Sequence, residues 1–224
     1  MLLDMIQKGV IEHHQVRDYY REVLIIIIIV DYGSGNLRSI QKSIEQYYAD
    51  VRISHALSLI QKARGIVLPG VGSFGDAITK LTEIGLFDYL KANIGRIPTL
   101  GICLGMQLLF STSEETMNAK GLNLIPGKVF KLNNSLSIRI PHTGWNRLIP
   151  VLKPDFNGYV YFNHSYYCKP HDIKVIINYV LHGRFFPAII KKGNILGTQF
   201  HPEKSKEPGN KILEYFVSMI KERL

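Results

Sequence analysis

The chain has 224 residues, a net charge of +9 and two cysteines, enough for one substantial domain burying roughly 70% of the surface its unfolded form exposes. Cys103 and Cys168 cannot make a disulfide framework, which points to a reducing, cytoplasmic setting. The apolar run 23–30 has eight residues, far short of the roughly 20 that cross a bilayer. The basic excess comes without a dense basic run or a nucleic-acid motif, so it is read as lysine-biased solvated faces and not as a nucleic-acid footprint.

Residues 1–23 are amphipathic and charged, without the apolar core of a secretory signal. Val10, Val16 and Tyr20 would line a short helix there, and His13-His14 reads as surface. This stretch is taken as an extension of unknown role ahead of a single domain at 24–224. Residues 24–30, five consecutive isoleucines among them, suit a strand covered on both faces, where alternation disappears. A polar turn at 31–36 follows, then a helix with Ile40 and Ile44 on one buried face. Strands are expected at 51–54 and 65–68, helices from about 76 to 81 and from 86 to 94, and a strand at 97–102. Residues 104–110 are apolar and helix-compatible. This alternation implies an α/β fold with a mostly parallel sheet flanked by helices.

Beyond about residue 121 the texture turns β-rich, with strands expected at 128–132, 158–167, 174–180, 188–191 and 195–200. The last two form a hairpin around Gly193-Asn194, a pair suited to positive φ. The chain closes on a helix from about residue 209 whose apolar side is Ile212, Phe216, Met219 and Ile220. No metal-ligand spacing and no Walker-type loop occurs.

The chemistry concentrates at two places 98 residues apart. Gly101-Ile102-Cys103-Leu104-Gly105 is the thiol counterpart of the Gly-x-Ser-x-Gly elbow, a cramped strand-to-helix turn that lifts a nucleophile above a sheet. At the positive end of the following helix the thiolate would be favoured. In His201-Pro202-Glu203, extended backbone would place residues i and i+2 on one face, so the carboxylate would orient one imidazole nitrogen and leave the other to take the thiol proton. Gly70-Val71-Gly72-Ser73-Phe74-Gly75 matches the dinucleotide fingerprint Gly-x-Gly-x-x-Gly. The acidic ribose partner about 20 residues on is missing, however, and the loop is better read as offering backbone N–H groups to an oxyanion.

Gly-Ile-Cys-Leu-Gly-Met-Gln at 101–107 and Gln-Phe-His-Pro-Glu-Lys-Ser at 199–205 resemble the class I (triad) glutamine amidotransferases. The segments 31–39, 68–75, 141–146 and 162–167 narrow the resemblance to the glutaminase subunits of imidazole glycerol phosphate synthases. It covers about 24–224 and implies a flavodoxin-like class I amidotransferase fold with a β-rich second half. It also implies hydrolysis of L-glutamine without a cofactor, in a heterodimer with a (β/α)8-barrel cyclase to which ammonia is channelled for histidine biosynthesis. Cys103, His201 and Glu203 would be the triad, with Leu104 and Gly70, Val71 and Gly72 at the oxyanion. Gln107, Glu115, Ser165 and Tyr166 would line the glutamine pocket, Glu115 meeting the substrate ammonium. Trp145 and Asn36 would face the barrel. Thr143 and Asn163 depart from the family's usual apolar residues near that edge. Cys168, beside His164 and His171 in sequence, lacks an elbow and is read as a decoy. Another amidotransferase, or a γ-glutamyl hydrolase on the same fold, is the alternative; a non-catalytic module and a nucleotide-binding redox domain are weaker ones.

Overall fold

The computed structural model describes residues 26–133, 138–151 and 155–223. The expected extension at 1–23 and the first residues of the expected strand at 24–30 lie outside the described residues. Five strands, β1 (Ile27–Val30), β2 (Val51–Ser54), β3 (Gly65–Leu68), β4 (Thr99–Ile102) and β12 (Ile195–Thr198), pair in parallel in the order β2-β1-β3-β4-β12. The sheet continues in antiparallel fashion through β11 (Arg184–Lys192), β10 (Ile176–His182), β7 (His142–Pro150) and β8 (Gly158–His164). A separate three-stranded sheet holds β5 (Phe110–Ser113), β6 (Ile125–Lys131) and β9 (Tyr166–Pro170).

The isoleucine run works in both directions. Ile27 and Ile29 pack with Ile40 and Ile44 of α1 (Leu37–Glu45) and with Ile212, Phe216 and Ile220 of the long C-terminal helix, α6 (Lys206–Lys221). Ile28 and Val30 point to the opposite face, toward Phe74, Ala77 and Leu81 of α3 (Phe74–Glu83) and Leu90 of α4 (Phe87–Asn93). A short helix, α2 (Leu57–Ile60), buries Ile60 in the same layer. Period-2 geometry splits a uniformly apolar strand between two helical layers.

Several boundaries differ from the sequence-based ones. Residues 104–110 divide into α5 (Leu104–Leu108) and β5, whose Phe110 opens the second sheet. The stretch 158–167 breaks at Ser165 into β8 and β9, which belong to different sheets. Strand β7 carries no apolar alternation and includes Gly144, so periodicity could not reveal it; only pairing with β8 and β10 makes it a strand. The hairpin forms as expected, Lys192 pairing with Ile195 around Gly193 at φ 55°.

Candidate active site

Parallel pairing of β12 on β4 removes the sequence distance between the two reactive segments. Thr198 is the register partner of Ile102, and the Cys103 N–H donates to the Thr198 carbonyl at 2.7 Å. Cys103 thus stands one residue beyond β4, and His201 three residues beyond β12, at neighbouring strand ends. This is where α/β sheets place their ligands.

The elbow is a strained turn. Cys103 has φ 52° and ψ −105°, a conformation that L side chains adopt rarely and that is retained where the surroundings enforce it. A Cβ on Gly105 would lie 1.9 Å from the Leu68 carbonyl oxygen, and one on Gly101 2.8 Å from the Gly105 carbonyl oxygen. Both glycines are therefore demanded by backbone passing backbone. The helix after Cys103 is only five residues long, and polar groups also surround the thiol.

Those neighbours are specific. Gln199 Nε2 approaches Cys103 Sγ at 3.8 Å, and the thiol points to the Asn163 carbonyl at 3.9 Å. His201 is buried, with Nδ1 2.9 Å from Glu203 Oε1, and the Glu203 side chain is only 2% exposed. The pair is formed by a 3₁₀ turn at Pro202–Lys204 following an extended His201, not by a continuous extended segment as the sequence suggested. The Ser205 hydroxyl donates to the His201 carbonyl at 2.6 Å and the His201 N–H to Tyr161 at 2.9 Å, which pins the turn.

Burial opposes charging the His201 ring. Interaction with Cys103, then with Glu203, and the negative charges they can carry, outweigh it and push the pKa up to about 10. His201 Nε2 makes no well-formed hydrogen bond among the described residues. Thiol and imidazole therefore influence one another without a hydrogen bond between them, as is common before substrate draws such a pair tight. Tyr32 lies behind the site, its hydroxyl donating to the Pro69 carbonyl, and burial followed by the proximity of Cys103 pushes its pKa up.

A cavity of about 280 Å³ opens over the thiol, lined by Val71, Gly72, Cys103, Leu104, Gln107, Glu115, Pro141, Asn163, His164, Ser165 and Tyr166. It is near the lower end of the small-molecule range, ~300 Å³. All four expected pocket residues, Gln107, Glu115, Ser165 and Tyr166, are brought together here. Gln107 Nε2 donates to the Tyr166 carbonyl at 3.1 Å. Glu115 accepts the Phe74 N–H at 2.7 Å, and its pKa is raised by burial, against that hydrogen bond. It is therefore a half-buried wall residue, not a free surface acid.

Of the expected oxyanion residues, Val71, Gly72 and Leu104 line this cavity. Gly70 packs against Leu104, Gly105 and the Tyr32 hydroxyl and does not line the cavity. Val71 donates its N–H to Ser34 Oγ at 3.2 Å, and the Ser34 hydroxyl donates back to the Val71 carbonyl. As the loop stands, the Val71 donor is already occupied. Gly75, third glycine of the fingerprint, lies against Thr116, so it serves helix packing.

Sequence reasoning missed Tyr32, Ser34, Pro141 and Gln199 as site components. Gln199 was signalled only by its place two residues before His201. Thr143 and Asn163 turn out to be cross-strand partners, the Thr143 hydroxyl donating to Asn163 Oδ1 at 3.1 Å. Cys168 is fully buried in β9, where burial, then Cys103, holds its thiol pKa well above the ordinary value. Trp145 is half exposed, and Asn36 caps α1 by accepting from Ser39 N–H at 3.4 Å. No group of three or more His, Cys, Asp or Glu side chains among the described residues is placed so that it could hold a metal ion, and none of their helices is long and apolar enough to cross a membrane.

The sequence pattern of the family described as glutamine amidotransferase class-I matches residues 28–219. The chain belongs to that family. This amidotransferase is 43% identical over 205 residues to "Imidazole glycerol phosphate synthase subunit HisH" of Geobacillus sp. (strain WCH70), covering 87% of this chain and 97% of that protein. It is 41% identical to the protein called "Imidazole glycerol phosphate synthase subunit HisH 1" of Methanococcus maripaludis, covering 87% and 100%. Among solved structures, a crystal structure of a glutamine amidotransferase superposes with a TM-score of 0.70 at 17% identity, covering 87% of this chain and 98% of the other. The structure of PurLQS from Thermotoga maritima gives 0.63 at 19% identity, covering 89% and 98%. At those identities the match establishes the fold, the mostly parallel α/β sheet of class I amidotransferases.

Proposed function

We propose that this amidotransferase is the glutaminase subunit of an imidazole glycerol phosphate synthase, a cytoplasmic enzyme of histidine biosynthesis. It would be formed by residues 24–224 acting with a (β/α)8-barrel cyclase. The single observation that carries the chemical part is Cys103 on a strained elbow beside a buried His201 that is hydrogen-bonded to Glu203. The histidine-pathway part is supported by relatives of that name whose length the chain matches almost fully.

In this reading the Cys103 thiolate attacks the side-chain carbonyl carbon of L-glutamine. His201, having taken the thiol proton on Nε2, passes it to the leaving nitrogen, so that ammonia departs and a γ-glutamyl thioester remains. The neutral ring then takes a proton from water as it attacks the thioester, and glutamate leaves with the thiolate restored. Glu203 keeps Nδ1 protonated and the ring oriented. The Leu104 N–H, at the turn after the nucleophile, faces the developing oxyanion. A second donor from Val71 becomes available only once that N–H leaves Ser34, so basal turnover is expected to be low. Glu115 and Tyr166 hold the substrate's backbone end. The half-exposed Trp145 and the exposed Asn36 face the cyclase, and Thr143 and Asn163 lie at the same edge.

The test is glutamate release by the full chain, alone and mixed with a matching cyclase subunit and its ligand. A strong rise on mixing is expected. Undiminished turnover without any partner would overturn the coupled reading, and stimulation only by the acceptor subunit of another amidotransferase would reassign the pathway.

A further inference from the structure

An imidazole ladder runs from β7 into the wall of the cavity. His142 Nδ1 lies 3.1 Å from His164 Nε2. The His142 ring is stacked between Phe162 at 4.5 Å and His182 at 4.0 Å, and both paired histidines are buried. The proposed chemistry uses neither ring. Two buried imidazoles in contact need a definite proton arrangement, because an unpaired or doubly protonated contact would be costly there.

That arrangement can be read from each end separately. The Tyr166 carbonyl can only accept, so His164 Nδ1, 2.8 Å away, carries a hydrogen. A neutral ring then leaves Nε2 bare. At the other end, Asn146 accepts the Arg147 N–H on Oδ1 at 2.7 Å and donates from Nδ2 to the Leu181 carbonyl at 2.9 Å, which fixes the amide's orientation. Its remaining N–H meets His142 Nε2 at 3.3 Å. His142 Nε2 is therefore bare and Nδ1 protonated. Both assignments meet at one N–H···N bond, donated by His142 to His164. Burial, reinforced by neighbouring histidines, keeps both rings uncharged near neutrality.

We propose that His142 and His164 are positioning residues, a tautomer-locked imidazole pair that holds the 163–166 wall of the glutamine pocket in register with strand β7. The Tyr166 carbonyl that receives His164 also receives Gln107, and the Asn163 carbonyl faces the Cys103 thiol. Moving this wall therefore changes both the substrate cavity and the surroundings of the nucleophile. Because β7 also carries Thr143 and Trp145, displacement of that strand's outer face reaches the pocket through the two rings. The inference rests on the proposed glutamine pocket.

Two measurements test it. In the full chain labelled with ¹⁵N-histidine, NMR at pH 7 should show both rings as Nδ1–H tautomers, with a scalar coupling across the bond between His142 Nδ1 and His164 Nε2. An Nε2–H form at either ring, or no coupling, overturns the pair whatever the substrate. In glutamate-release assays with the cyclase subunit, His142→Leu should raise KM for glutamine about tenfold, the effect of leaving one buried acceptor unmatched, with kcat changed less than about threefold. His142→Asn offers an amide N–H close to the former Nδ1 and should recover most of that loss. Equal impairment in both variants would reduce the role to packing, and an unchanged KM in both would remove it. Absence of glutamate release by the unsubstituted chain is a separate failure, which would overturn the pocket assignment itself.

Discussion

The elbow glycine Gly105 permits a severe test because opposing effects can be estimated. Replacing it by alanine inside α5 gains helix propensity and reduces the entropy of the unfolded chain, together worth ~1 kcal/mol. Against this, the new Cβ would sit 1.9 Å from the Leu68 carbonyl oxygen and 2.6 Å from its carbon, where real contacts stay beyond 3.0 Å. The carbon must therefore retreat by about 1 Å or more from backbone that is itself hydrogen-bonded into the central sheet. Overpacking against side chains costs ~1–3 kcal/mol, and backbone yields less readily, so we expect Gly105→Ala to lose about 2–4 kcal/mol net. A displacement of that size under a nucleophile is worth ~10² in rate. Urea unfolding followed by far-UV circular dichroism gives the first quantity and glutamate release with the cyclase the second. Gly95→Ala is the control: nothing lies within 4 Å of its Cβ, and it should be neutral or stabilising by up to ~1 kcal/mol. If Gly105→Ala kept wild-type stability and turnover, the elbow would not be the constraint described.

Cys103→Ser should reduce glutaminase turnover to background while the urea midpoint moves little, since a hydroxyl does not ionise in the setting that suits a thiol; normal turnover would refute the nucleophile. Cys168→Ala should keep the rate within about twofold and cost about 1 kcal/mol through the void left in the second core layer; loss of turnover would show that the wrong thiol had been assigned. Stability should fall on acidification because His142 and His164, with pKa values lowered to about 4 and about 3 from 6.5, bind protons only in the unfolded chain between those limits. From pH 7 to 5 each contributes a loss on the order of 2 kcal/mol. His201 acts in the opposite sense: its contribution is complete below pH 6.5 and fades as pH rises through about 10. Urea midpoints at pH 5, 7 and 10 check both limbs, and His164→Gln should flatten the acid one; equal midpoints at pH 5 and 7 would contradict the buried neutral pair.

Much of the site was legible because its parts are local. Gly101, Cys103 and Gly105 lie within five residues and state a backbone geometry that only glycine flanks allow. His201 and Glu203 are near neighbours whose pairing needs one turn. Pocket residues such as Gln107 and Tyr166 carry no such local signature and entered only through resemblance to a family. Tyr32, Ser34 and Gln199 were missed because their roles consist of contacts with Pro69, Val71 and Cys103, segments 37 to 96 residues away.

The amino-acid order by itself determined the parallel α/β core, since a run of β-branched residues between amphipathic helices can bury itself in few other ways. It also determined the elbow, which is a matter of backbone sterics within one turn. Tertiary structure alone decided that β12 lies in register against β4, because strand pairing depends on the summed packing of both sheet faces and not on any local signal. It likewise decided that β7 is a strand, that the Val71 N–H is engaged by Ser34, and that two histidines 22 residues apart share one proton arrangement. Each is a contact between distant segments, satisfied only after the rest of the chain has folded around it.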